Sequence, residues 1–476
     1  MWPPGGSLDL ARVVIRGGTV VTASSNQLAD VLVEDGVVAA VTAAGSDLSR
    51  NFSEGADRVL DASGRYVIPG GVDVHTHMEM PFGETFTSDT FETGTRAAIW
   101  GGTTTIVDFA VQSHGASLQG GLETWWRKAG GNCATDYGFH MVLTDVNEST
   151  LREMDQLVEQ GVTSFKMFMA YPGVFYSTDG QILAAMQRAA GNGALIQMHA
   201  ENGIAIDRLV AEALARGDIA PRFHGLTRPI ALEAEATHRA IQLARVSGSP
   251  LYIVHLSAEE ALAEVLDARD RGQSVFAETC PHYLFLTQHE MARDGFDGAK
   301  FVCSPPLRSH DDQNALWRGL ATDDLSVVAT DHCPFCFKEQ KELGRGDFSK
   351  IPNGVPGVEH RMDLLYQGVL QGKLNLSRWV EVTATAPARM FGLYPQKGSL
   401  QPGADADIVI YDPTKQATIS AATHHMSIDY SCYEGMTVSG QVETVLLRGS
   451  VVLDQRQYVG TPSGRFIARG LCQYAR

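Results

Sequence analysis

Eight short apolar strands that alternate with helical patterns, β-ribbons confined to the two chain ends, and histidines collected at strand C-termini predict an α/β protein. The expected architecture is a (β/α)8 TIM-like barrel with a small β-sandwich domain formed by both chain termini. Parallel strands need crossover connections, and the helical patterns Ser149 to Gln160, Ile182 to Ala190, Glu233 to Arg245 and Ala258 to Asp270 supply several. A doubly wound sheet shows the same alternation, so pattern alone leaves it open. The barrel makes the sharper demand, because its functional residues must gather at the C-terminal ends of several strands.

In chain order, Val13 to Ile15, Val20 to Val21 and Val31 to Val38 are β-branched segments split by Gly-Gly and Asp-Gly turn signals. A related pattern returns near the C-terminus. Ala406 to Tyr411 reads as a strand, and Thr444 to Leu453 echoes Arg12 to Val21. Isolated ribbons are marginal, whereas two together bury a shared apolar face. Residues 1–66 and 398–476 are therefore assigned to one β-domain, the latter with a tail, and residues 67–397 to the barrel. The barrel strands are expected at Val67 to His75, Thr104 to Phe109, Tyr137 to Leu143, Ser164 to Met169, Leu195 to His199, Leu251 to His255, Val275 to Thr279 and Ser326 to Ala329.

The 476 residues, 44% hydrophobic and 20% charged, are enough for a sizeable core. A net charge of -17 argues against nucleic acid or an anionic membrane as partner and suits a small neutral or cationic substrate. Met1 to Gly6 lacks the basic and apolar regions of a leader, and no apolar run is long enough to span a bilayer, so a cytoplasmic protein is expected. Seven scattered cysteines fit reduced thiols. Cys333 and Cys336 form a lone Cys-x-x-Cys with neither a second pair nor a thioredoxin-like context, which favours no redox or zinc role.

The stretch Gly70-Gly71-Val72-Asp73-Val74-His75-Thr76-His77 organises the rest. Residues i and i+2 of a strand share a face, so His75 and His77 project side by side. Two imidazoles alone hold a metal weakly and are often satisfied loop histidines. Here Lys166 lies in the fourth strand, His199 ends the fifth, His255 ends the sixth and Asp331 follows the eighth, so one rim would collect four imidazoles, a carboxylate and a lysine. Nitrogen and oxygen donors without thiolate suit Zn²⁺, with Mn²⁺ or Co²⁺ as substitutes. Lys166 is the odd member, since a cation repels metal; on spacing alone it is equally a snorkelling or ion-paired side chain.

The motifs Gly70 to His77, Ser164-Phe165-Lys166-Met167-Phe168-Met169-Ala170-Tyr171, Met198-His199-Ala200-Glu201-Asn202, Val254-His255-Leu256-Ser257, Cys303-Ser304-Pro305-Pro306-Leu307-Arg308 and Thr330-Asp331-His332-Cys333-Pro334-Phe335 follow in that order along the chain. With them nearly the whole chain resembles the dihydropyrimidinase and D-hydantoinase branch of the amidohydrolase superfamily. The resemblance implies a binuclear zinc site in which Lys166 carries a CO2-derived carbamate (N6-carboxylysine) bridging the ions. His75, His77 and Asp331 would complete the more buried zinc, and His199 with His255 the more exposed one. It further implies attack of a metal-bridging hydroxide on a cyclic amide, with Asp331 shuttling the proton, Tyr171 hydrogen-bonded to the oxyanion, and Ser304 and Asn353 holding the substrate's imide edge. Met80, Phe168 and Phe175 could wall the pocket, or could be plain core.

The expected reaction is opening of 5,6-dihydropyrimidines (dihydrouracil, dihydrothymine) or 5-substituted hydantoins to N-carbamoyl amino acids by a homotetramer, as in relatives. Allantoinase is the near alternative, because allantoin is itself a substituted hydantoin. Dihydroorotase is disfavoured by Glu79, which stands where its relatives often carry an arginine for the substrate carboxylate. The non-catalytic collapsin response mediator proteins share the fold but lack the metal ligands, all six of which are present here.

Overall fold

The computed structural model describes residues 12–83 and 85–475. Met1 to Gly6, read above for a leader, lie outside the described residues. Eight parallel strands follow one another in sequence order around a barrel: Gly71–Thr76, Thr103–Val111, Asp136–Val142, Ser164–Phe168, Leu195–His199, Leu251–Ile253, Val275–Thr279 and Val327–Val328. The seam between the last and the first is short. It is made by a parallel bridge from Thr76 to His332, where the His77 N–H donates to the His332 carbonyl at 2.9 Å. Below the rim, Val72, Val74, Val107, Leu195, Tyr252, Phe276 and Val327 cluster with Phe391 and Leu393, so the barrel has a packed core rather than a pore.

The strand expected over Val67 to His75 is two strands. Tyr66–Pro69 pairs antiparallel with the strand Ile408–Thr418 of the C-terminal region, Tyr66 opposite Tyr411, and only Gly71–Thr76 enters the barrel. The break falls at Gly70, where any Cβ would collide with the Thr104 side chain, so the chain crosses from one layer to the other at a residue that must be glycine.

Tyr66–Pro69 also pairs with Val13–Val21, which joins the two chain ends in one nine-stranded sheet. Val13, Ile15, Val31 and Val33 from the first half bury a common core with Ile408, Ile410 and Leu446 from the second. Lys397, Asp405 and Asp407 lie where this sheet meets the barrel. The Lys397 ammonium bonds Asp136 at the start of the third barrel strand as well as Asp405 and Asp407, and Arg448 also pairs with Asp136. Beyond the sheet the chain returns to the barrel: the Ile467 N–H donates to the Tyr137 carbonyl at 2.8 Å, and Arg469 reaches the Phe139 carbonyl at 2.6 Å.

Candidate active site

The first strand delivers His75 within the sheet and His77 just beyond it, their ring centroids 5.1 Å apart. Both Nε2 atoms approach the same oxygen, Asp331 Oδ1, at 3.1 and 3.2 Å. Lys166 in the fourth strand places its Nζ 2.9 Å from His75 Nε2 and 4.3 Å from the centre of the Phe109 ring. His255 closes on His75 at 5.4 Å and on His199 at 4.5 Å between ring centroids. One ligand atom each from His75, His255 and Asp331 lies within 4.8 Å of the others, a spacing that one ion could span. The structure therefore brings together all six residues singled out at the strand ends.

Burial sets the charge states. Lys166 is 1% exposed, and loss of solvation lowers its pKa to about 8 against the pull of Asp331 and Glu278. His77 is driven by burial to about 3 although Asp331 bonds to it, and burial takes His255 well below the usual histidine range. Asp331 is opposed by burial but held well below the carboxylate range by His75 and His77. The result is a carboxylate beside His75, whose pKa Asp331 and Glu278 raise against burial and Lys166, and beside His77, His199 and His255, which burial lowers toward the neutral form. His255 Nδ1 and His77 Nδ1 are buried without a hydrogen-bond partner among the described residues.

Two carboxylates to which the sequence reading assigns no role aim these rings. Glu278, in the apolar seventh strand, accepts from His75 Nδ1, from the His255 N–H at 3.1 Å and from the Tyr252 hydroxyl at 2.8 Å. Glu201 bonds His199 Nε2 at 2.8 Å and so fixes the orientation of that ring. A signal existed for each: Glu201 follows His199 at i+2, and a lone Glu in Val-Phe-Ala-Glu-Thr is out of place in a barrel strand unless it has a buried partner.

Tyr171, His255 and Asp331 all have positive φ, at 60°, 40° and 47°. Non-glycine residues adopt that region at a cost, and three such residues at one rim are characteristic of a functional site. Tyr171 stands beside the Ser304 and Asn353 side chains, and Asn353 Nδ2 donates to Ser304 Oγ at 3.1 Å. All three border the same cavity as His77, His199, His255 and Asp331, with Met80, Phe82, Phe168 and Phe175 forming its apolar wall. Phe168 stacks on His199 at 5.3 Å and on Phe175 at 5.0 Å, so the two phenylalanines named from sequence do line the pocket. Cys333 borders it too, as a free thiol, and Cys336 is likewise unpaired. Glu79 does not border it; its Oε1 accepts from the Phe91 N–H at the start of a helix.

The amidohydrolase family model matches residues 66–452. A D-hydantoinase of Streptomyces coelicolor is 65% identical over 465 residues, 98% of this chain and 99% of that one. A D-hydantoinase of Geobacillus stearothermophilus is 47% identical, covering 96% of each chain. Among solved structures, a dihydropyrimidinase from Brevibacillus agri superposes with a TM-score of 0.94 at 47% identity, over 96% of this chain and 99% of that one. An L-hydantoinase (dihydropyrimidinase) from Arthrobacter aurescens gives 0.87 at 31% identity, over 97% and 100%.

Proposed function

The chain belongs to the amidohydrolase family, as a cyclic-amide hydrolase of its hydantoinase and dihydropyrimidinase branch, and from that premise we propose that it opens 5-substituted hydantoins and 5,6-dihydropyrimidines to N-carbamoyl amino acids. We place 5-monosubstituted hydantoins first, with preference for the D form, on the name D-hydantoinase carried by relatives 65% and 47% identical to this chain. The apolar wall of Met80, Phe82, Phe168 and Phe175 suits an alkyl or aryl substituent on the ring.

The observation that carries the reading is Lys166. Its buried ammonium makes no ion pair with a carboxylate among the described residues, and its hydrogen-bond partner is the Nε2 of a histidine. An ammonium cannot ligate a cation. A carbamate on the same nitrogen supplies the negative charge and the two oxygens that this ring of imidazoles lacks, and the donor set then fits two divalent ions, zinc foremost with Mn²⁺ or Co²⁺ as substitutes. His75, His77 and Asp331 would hold one, His199 and His255 the other, with Lys166 shared. When bound, such ions lower the pKa of water toward about 7 and polarise a carbonyl.

The protein's own groups do the rest. Main-chain groups of Ser304 and Asn353 would hold the imide edge and set the ring carbonyl against Tyr171, whose phenol donates to the oxygen as charge develops on it. Asp331 would accept the proton of the attacking water and return it to the leaving ring nitrogen. Glu278 and Glu201 keep the imidazoles in register throughout. We extend the proposal to a homotetramer by analogy with the family. No helix among the described residues is long and apolar enough to cross a membrane.

The deciding experiment measures kcat/KM for zinc-loaded protein on both enantiomers of a 5-monosubstituted hydantoin, dihydrouracil, allantoin and dihydroorotate. The D-hydantoin should lead and dihydroorotate should trail. A lead for allantoin would reassign the substrate, and turnover of none would overturn the proposal.

A further inference from the structure

Lys341 lies in the excursion between Asp331 and Asn353 and is fully buried. Its Nζ faces three main-chain carbonyls: Val302 at 2.9 Å, Pro352 at 2.6 Å and Gly354 at 2.8 Å. An ammonium has three donors, and here all three are used. No carboxylate pairs with it among the described residues; the Phe335 ring is 5.9 Å away, and burial lowers its pKa to about 8. A buried cation without a counter-ion is costly, and a methionine would fill the same volume without that cost.

The position of those carbonyls gives the cation a purpose. Pro352 and Gly354 flank Asn353, and Val302 precedes Ser304 by two residues. The Gly354 N–H also donates to the Val302 carbonyl at 3.0 Å, while Asn353 Nδ2 reaches Ser304 Oγ. Gly354 is at φ 148°, and a Cβ there would strike the Cys333 carbonyl, so this turn is pressed onto the rim beside Asp331. The two segments lie about fifty residues apart in the chain, and the ammonium adds a three-way tie to the two bonds that join them directly.

We propose that Lys341 is a positioning residue: by holding three carbonyls at once it fixes the two main-chain edges, at Ser304 and at Asn353, between which the substrate's imide face is read. This rests on the substrate-holding role proposed above for those edges. A loosened edge weakens ring binding in the ground state and the transition state alike, whereas the groups that perform the chemistry, Tyr171 and the strand-end cluster, stand on other elements. The signature is therefore a change in KM rather than in kcat.

The test compares zinc-loaded parent and Lys341→Met on a 5-monosubstituted hydantoin and dihydrouracil, with metal content and Tm measured on the same samples. The Met variant should raise KM about tenfold or more for both rings, with kcat within about threefold and metal per chain unchanged. A merely structural lysine would lower Tm and leave the KM of the folded protein alone, and that result, or a loss confined to kcat, overturns the proposal. If Lys341→Met does not fold, Lys341→Gln, which keeps two of the three donors, decides instead: a KM raised about threefold or more supports the clamp, and an unchanged KM overturns it. Parent protein that opens neither ring overturns the functional reading and this inference with it; parent that opens both, with a Met variant of parental KM, overturns the clamp alone.

Discussion

Lys166 and Lys397 are equally buried, each 1% exposed, and in every other respect they are opposites. Lys397 sits at the junction of barrel and terminal sheet with three carboxylates around it: Asp136 at 2.5 Å, and Asp405 and Asp407 each at 2.8 Å. Burial alone would lower its pKa, but Asp136 and Asp407 hold it above the ordinary lysine value. Lys166 meets an imidazole and two aromatic faces, and burial takes it to about 8. The same side chain at the same depth thus marks two kinds of region. Where charge is matched on the spot, the cluster joins layers; where it is left unmatched among groups with spare lone pairs, something else is meant to complete it.

Removing Lys166 should have the largest effect. Lys166→Ala is expected to lose both metals and to lower turnover about 10³-fold or more, with Tm of the metal-free protein little changed. Elemental analysis beside kinetics reads this directly, and added short carboxylic acid with zinc should restore part of the activity by supplying a surrogate bridge. An Ala variant that binds two metals and turns over like the parent would make Lys166 no different in kind from Lys397.

Tyr171→Phe should come next and touches only the chemistry. Its loss should appear as about 10²–10³-fold in kcat with KM within a few-fold and metal content unchanged. A defect confined to KM would move the phenol from the oxyanion to substrate holding.

Lys397→Met should have the smallest effect on catalysis and a large one on stability. Buried Asp407 and the part-exposed Asp405 would be left without their cation, with Asp136 keeping only Arg448, a loss of about 3–5 kcal/mol by denaturant unfolding, while kcat of the folded fraction stays within about twofold. The sign of its pH dependence is fixed. In the variant the abandoned carboxylates have raised folded-state pKa values, so it gains stability as they take up protons on acidification. The gap to the parent should be narrower at about pH 5 than at pH 8. A catalytic defect with stability intact would mean that this junction reaches the active site.

The rim is legible in the sequence because a barrel strand has a direction and a terminus, so His75, His199, His255 and Asp331 declare their place once the strands are recognised. The two-layer split at Gly70 is only hinted at by Pro69-Gly70-Gly71, since apolar residues continue on both sides as in one strand and it is the pairing of Tyr66 with Tyr411 that separates them. The identity of each partner is not legible, although a lone Glu in an apolar strand signals that one exists. Glu278 belongs to the site through His75, which is some two hundred residues away, and Lys341 belongs through carbonyls that any residue has. Periodicity reports which way a side chain points, whereas the atom it meets depends on the closed fold.

The terminal sheet has a consequence for how the protein is made. Strand Tyr66–Pro69 finds its antiparallel partner roughly 340 residues later, in Ile408–Tyr411. At the pace of synthesis, about 5–20 residues per second, the ribbon of the first sixty residues waits roughly 20–70 s with its edge unpaired. Through that interval the barrel strands emerge and can pair with their sequence neighbours, while the N-terminal strands hold open β-edges of the kind that recruit other chains. Yield on rapid overexpression should therefore be limited by the oldest part of the chain waiting for the youngest, and slower synthesis or a bound chaperone should act there first.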